Sequence, residues 1–258
     1  MNPEIYTIAA GVLTGAAGAT VGNYLLMRKM PLISDSMPHI ALPGIALGLI
    51  FGFNPVIGAF LFLALAVLIV WYTENTTKLP IDSIVGVLFV TALAVGSVMV
   101  SEEELLESFF GNIEKISQND AIVGIVAASA VLAVALSLKR RFTLASIAPE
   151  LAESVGVNQK HTELWFLMLV AATVALGINF VGVLLMSALL ITPSVAARNF
   201  AGGSVKNFFA LSVLIGVVSM AGGLTMHTYV GVPAGILVVL ISTAIFVVSV
   251  GKSIVSDK

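Results

Sequence analysis

The sequence predicts an all-α polytopic membrane protein of about nine transmembrane helices, alternatively eight. Three observations carry that class. Of 258 residues, 59% are hydrophobic and only 10% charged, and the mean hydropathy is +1.08. Apolar runs near the length needed to cross a bilayer recur along the whole chain, with short polar breaks between them. No hydrophilic stretch is long enough for a second domain, so residues 1–258 form a single transmembrane domain. The absence of cysteine excludes disulfides, thiolate metal sites and a cysteine nucleophile. The net charge of −2 says little, because in a polytopic chain the placement of charge matters more than its sum.

The first span, about 4–27, opens with MNPEIYTIAA. That start lacks a basic n-region and a small-residue cleavage site before polar sequence, and it reads as a span and not a signal peptide. Further spans are expected at about 32–52, 55–72, 81–100, 119–138, 206–228 and 232–250. Residues 163–198 allow two readings. They form either two spans, 163–179 and 182–198, joined at Asn179-Phe180-Val181-Gly182, or one long broken helix with a partial re-entry. If the first span runs inward, Arg28, Lys29, Lys78, Lys139, Arg140, Arg141, Lys160, Arg198, Lys206, Lys252 and Lys258 are all cytoplasmic, and only Lys115 lies outside. The positive-inside rule therefore sets the orientation.

Two connections are long enough to fold. The outer one, SEEELLESFFGNIEKISQND, spaces Leu105, Leu106, Phe109 and Phe110 as a helix would, beside Glu102, Glu103, Glu104 and Glu107. It reads as a short helix at the outer surface. The inner one holds Pro149 and Glu150 at a helix start and Gly156 at a helix stop, enclosing a short cytoplasmic helix. Asp82, just after Pro80, is expected to cap its helix. Repeated Gly-xxx-Gly spacing, as in Gly11/Gly15, Gly18/Gly22 and Gly44/Gly48/Gly52, predicts close helix packing within one subunit.

The second span is the exception to apolar regularity: PLISDSMPHIALPG carries an aspartate, a histidine and prolines. Asp35 and His39 are four residues apart and share a helix face. Counted inward from Lys29 at about 1.5 Å per residue, Asp35 lies roughly 9 Å into the membrane, with His39 near its middle. A carboxylate at such depth costs on the order of 3 kcal/mol unless it faces a cavity, a partner or a cation. Pro38 leaves the carbonyl of Ser34 without its helical donor, and Pro43 does the same to that of His39. A carboxylate, an imidazole and two carbonyls on a broken helix suit a divalent ion such as manganese or zinc. The plainer reading pairs Asp35 with Arg28 and satisfies His39 on a neighbouring helix.

MRKMPLISDSMPHIALPGIALG as a whole resembles the signature of the metal-uptake permeases of ABC transporters, the branch that imports zinc, manganese or iron. DSIVGVLFVTALAVGSVMVS at 82–101, FGNIEKIS at 110–117, PELAESVGV at 149–157 and VGVLLMSALLITPSVAAR at 181–198 resemble further segments of that family, in its order. Pro38 stands where serine is usual, Ser34 where glycine is usual and Ala148 where aspartate is common; the Asp-x-x-x-His spacing is kept. The resemblance implies a fold similar to the vitamin and siderophore importer permeases, and a permease homodimer in the prokaryotic plasma membrane. It also implies two cytoplasmic ATP-binding subunits and an extracellular metal-binding lipoprotein.

On this reading the chain is a transport subunit and no enzyme, with the ATP on its partner. Gly251-Lys252-Ser253 resembles a P-loop ending, but Phe246 stands where the motif needs glycine. Asp35 and His39 become metal-path residues, with the carbonyls of Ser34 and His39 as further ligands and His227 either as a ligand at the outer mouth or as a solvated interfacial histidine. Pro149, Glu150, Leu151, Ala152 and Gly156 become the contact to the ATPase. Glu102, Glu103, Glu104 and Glu107 become the docking surface for the binding protein, or else a solvated face. His161 reads as solvated. The competing class is an ATP-independent carrier or channel in which Asp35 and His39 relay protons or cations, and it has no use for the PELAESVG and FGNIEKIS segments.

Overall fold

A computed structural model describes residues 3–99, 109–111, 113 and 116–256. Among them the elements are α1 (Pro3–Met27), α2 (Pro31–Ile40), α3 (Leu42–Phe51), α4 (Pro55–Thr77), α5 (Ile81–Met99), α6 (Gln118–Ser137), α7 (Lys139–Ile147), α8 (Pro149–Ser154), α9 (Gln159–Val181), α10 (Val183–Phe200), α11 (Val205–Val230) and α12 (Ala234–Ser256). With α2 and α3 counted as one span, nine are long and apolar enough to cross a membrane. Residues 163–198 are two spans, not one. They meet at Gly182, whose φ of 80° and ψ of 169° only glycine adopts without strain. A Cβ there would run into the backbone of Phe109 and Gly111, so the outer segment seats on this turn.

The helix starts and stops follow from local chemistry. α1 ends at a Schellman turn in which Met30 N–H bonds the Leu25 carbonyl and Lys29 N–H that of Leu26, with Lys29 at φ 58°. That turn brings α2 straight back into the membrane. Ser117 and Asp120 form a reciprocal capping box on α6. Asn54, Asn158 and Ser204 cap α4, α9 and α11. Asp82 is one residue inside the first turn of α5 and exposed, so it acts through the helix dipole and does not cap.

Packing sorts the helices into a core and a shell. The α1, α2–α3 and α9 spans are the most buried, at 61%, 72% and 67% of their windows, whereas α5 and α6 are 28% and 22% buried and turn large aliphatics to lipid. Small residues permit the close approach. A Cβ on Gly22 would land on the Leu190 carbonyl, while Gly44 and Gly58 each face the other's carbonyl across α3 and α4. Gly15 and Gly216 do likewise across α1 and α11. The Gly-xxx-Gly pattern therefore serves packing inside the subunit, except at Gly52, which ends α3 at φ 70° with nothing within 4 Å. At the inner end Tyr24 stacks edge-on against Phe142, Phe166 and Phe209, with ring centres 5.4, 6.5 and 5.1 Å away, tying α1 to α7, α9 and α11.

Candidate functional site

The residues expected to carry ion chemistry lie on α2. Its inward face, Ile33, Ser34, Met37, Pro38 and Ile40, is buried against α5 and α10. Asp35 is exposed and His39 half-buried, so the two share the stripe that α2 turns away from its own subunit. The helix passes from α2 to α3 through Ala41, which keeps helical angles (φ −70°, ψ −20°), so the break is a single loosened turn. There the backbone N–H groups address the carbonyls of Met37, Pro38 and His39. The His39 oxygen expected to be free thus has a donor. The Ser34 hydroxyl donates to the Pro31 carbonyl at 2.6 Å, leaving that side chain satisfied locally.

The His39 ring stands edge-on to Phe89, 5.4 Å between centres, which fixes its plane. Its Nδ1 is buried and has no hydrogen-bond partner among the described residues. Arg28 does not close a bridge to Asp35. Its Nε donates to the Ser146 hydroxyl at 3.2 Å, and its guanidinium lies 4.4 Å from the centre of the Phe166 ring. Burial pushes the Arg28 pKa below its ordinary value, and the nearby Glu163 carboxylate opposes that shift. Glu163 in turn interacts with the carboxylate of Glu74, an inner polar cluster that the sequence did not announce. Its members come from α4, α9 and the α1–α2 turn, and no local spacing links them.

His227 sits in the last turn of α11 at the opposite, outer end, with Nδ1 2.8 Å from the Val232 carbonyl. No cluster of three or more His, Asp or Glu side chains able to hold a metal occurs among the described residues, so His227 is not brought to Asp35 and His39. His161 is exposed at the start of α9, as expected.

On the cytoplasmic side the expected short helix is α8. Gly156 (φ 81°) ends it in a Schellman turn, with Gly156 N–H on Glu153 O and Val157 N–H on Ala152 O. Pro149, Glu150 and Leu151 are exposed, Leu151 by 54%, and so is Gly156. Ala152 is fully buried. It anchors the helix from behind and is no part of a contact surface. Glu102, Glu103, Glu104 and Glu107 lie outside the described residues.

The described residues thus form a nine-span bundle with an exposed Asp35 and a half-buried His39 on one α2 stripe and a short exposed cytoplasmic helix. The profile of the ABC 3 transport family matches residues 5–253. The chain belongs to the ABC 3 transport family. It is 31% identical to the high-affinity zinc uptake system membrane protein ZnuB of Haemophilus influenzae, over 95% of each chain. It is 34% identical to the manganese import system permease protein ScaB of Streptococcus gordonii, over 96% of this chain and 89% of that one. Among solved structures, PsaBC from Streptococcus pneumoniae in complex with Fab superposes with a TM-score of 0.83 at 26% identity, over 94% of this chain and 89% of that one. A metal-chelate type ABC transporter in an inward-facing conformation superposes at 0.74 and 21% identity, covering 96% and 85%. It shares the fold. Membership in the ABC 3 family makes the chain a multi-pass membrane permease of the bacterial plasma membrane and sets aside the self-contained carrier.

Proposed function

We propose that the chain is the permease subunit of a binding-protein-dependent ABC importer that carries a divalent metal ion, manganese, zinc or iron, into the cytoplasm. It works as a homodimer, with an ATP-binding subunit under each copy and a metal-binding lipoprotein outside. The observation that carries this reading is the exposure of Asp35, inside a span that is otherwise 72% buried. A carboxylate in lipid costs on the order of 3 kcal/mol, whereas one facing the same carboxylate across a two-fold axis lines a water-filled path. Two copies then contribute two carboxylates and two imidazoles, an oxygen and nitrogen set that suits manganese and zinc alike. The relatives named for zinc uptake and for manganese import support the cargo class.

The residues divide the work by depth. Asp35 supplies negative charge to a hydrated cation arriving from outside, and the unpartnered Nδ1 of His39 supplies a neutral donor one helical turn further out. Glu150 and Leu151 meet the ATPase, and α7 carries its movement back to the α1–α2 turn through the bond between Ser146 and Arg28. The path helix thus starts where the coupling element ends.

Uptake of radioactive manganese or zinc into proteoliposomes holding permease, ATPase and binding protein tests this. Asp35→Asn keeps the volume and removes the charge, so uptake per assembled complex should fall to background. Full uptake by Asp35→Asn, or its recovery when Arg28 is neutralised as well, would take Asp35 off the ion path.

A further inference from the structure

At the inner surface a groove of about 1220 Å³ opens between the end of α6, α7, α8 and the start of α11. Its rim carries four cations, Lys139, Arg140, Arg141 and Lys206, and no carboxylate of the described residues lines it. All four are exposed, and none bonds to another described side chain. The apolar wall is made of Leu136 and Phe209 together with Leu144 and Ile147 of α7, Leu151 of α8 and Val155 just after it, and the groove reaches Tyr24 and Thr20 on α1. Thr20 lies seven residues inward of Met27, which at about 1.5 Å per residue puts the top of the groove roughly 10 Å above the membrane surface.

We infer that this groove holds an anionic phospholipid of the inner leaflet, its phosphate among Lys139, Arg140, Arg141 and Lys206 and an acyl chain along Leu136 and Phe209 towards Thr20. Two features select this occupant. The charge is uncompensated on a face that meets the negatively charged leaflet. The cavity also continues past the headgroup level into the hydrocarbon, where a soluble ATPase subunit has no reach but an acyl chain belongs. General accumulation of lysine and arginine on the inner side explains the rim alone, without the apolar shaft above it. Because Leu151 and Val155 also line the groove, the lipid would sit against the coupling helix, between it and the Tyr24 cluster, and share Leu151 with the proposed ATPase contact. The inference is independent of which ion is carried.

A tryptophan in the groove reads its occupant. Phe209→Trp, with Trp71→Phe and Trp165→Phe removing the native signal, is reconstituted with the ATPase subunits in phosphatidylcholine membranes containing brominated phosphatidylglycerol or, at equal bromine, brominated phosphatidylcholine. The glycerol lipid should quench more strongly. Each cation replaced by glutamine should lower that preference about fivefold, the factor that corresponds to about 1 kcal/mol per basic residue at a charged surface. Native mass spectrometry of the wild-type complex should show phosphatidylglycerol retained over phosphatidylcholine, and Arg140→Gln/Arg141→Gln/Lys206→Gln should abolish that retention. Equal quenching by the two lipids would reduce the rim to a positive-inside bias. Quenching by either lipid that is present without the ATPase subunits and absent with them would assign the groove to that subunit. Either result, or retention unchanged in the triple variant, overturns the inference.

Discussion

Gly22 and Gly86 have the same side chain on two transmembrane helices, yet their surroundings predict opposite responses to one added methyl. At Gly22 the new Cβ would fall on the Leu190 carbonyl, whereas at Gly86 nothing lies within 4 Å. Overpacking of this kind costs about 1–3 kcal/mol, so Gly22→Ala should lower the thermal midpoint of the purified protein in detergent. Gly86→Ala should leave it unchanged or raise it slightly, since alanine lowers the entropy of the unfolded helix. The Asp35–His39 pair is legible in the sequence because both residues sit on one helix, at a spacing that needs no tertiary knowledge. Arg28 is not: its partner Ser146 lies 118 residues away, and that bond exists only after α7 has folded back under α1. His39 gives the second test at this scale. His39→Ala removes an unpartnered buried nitrogen together with an edge-on contact to Phe89, so uptake per assembled complex should fall to background while the protein stays in the membrane.

The sequence marks the helical elements unequally, for physical reasons. Apolar runs mark where a chain meets hydrocarbon, but helices continue into the headgroups. α4 runs to Thr77, well past the expected end near 72, with the hydroxyls of Thr76 and Thr77 bonded to carbonyls four residues back. α7 went unseen because Lys139-Arg140-Arg141 reads as a charged boundary. Its helicity comes from tertiary packing, as Phe142 is fully buried against Tyr24 and Phe166. α8 was legible because its stop signal is local. Its two faces make separate predictions. Glu150→Ala with Leu151→Gly changes only exposed positions, so ATP hydrolysis should continue while metal carried per phosphate released falls several-fold. Ala152→Leu instead overfills a buried position and should reduce the amount of folded complex.

For the molecule as a whole, the count of lysines and arginines set an orientation that the fold accommodates, since the inner ends of α1, α4, α6 and α10 carry or adjoin the basic residues. The native chain has no cysteine, so single replacements report side without background. Tyr229→Cys, 89% exposed near the outer end of α11, should react with an impermeant maleimide in intact cells, as should Glu103→Cys. Arg140→Cys and Lys252→Cys should react only after the membrane is opened. Labelling at position 252 in intact cells would invert the topology.

The single-residue turn at Gly182 constrains how the protein is made. α9 and α10 have no connecting segment that would let one helix settle across the bilayer while the other is still being synthesised. They must therefore leave the insertion machinery as a hairpin, with their tip received by the Phe109–Gly111 segment translated earlier. Biogenesis of the C-terminal half then depends on an outer loop already in place. Lengthening the turn at Gly182 by even a few residues should show first as loss of protease-resistant membrane protein in a cell-free translation, before any change in transport could be scored.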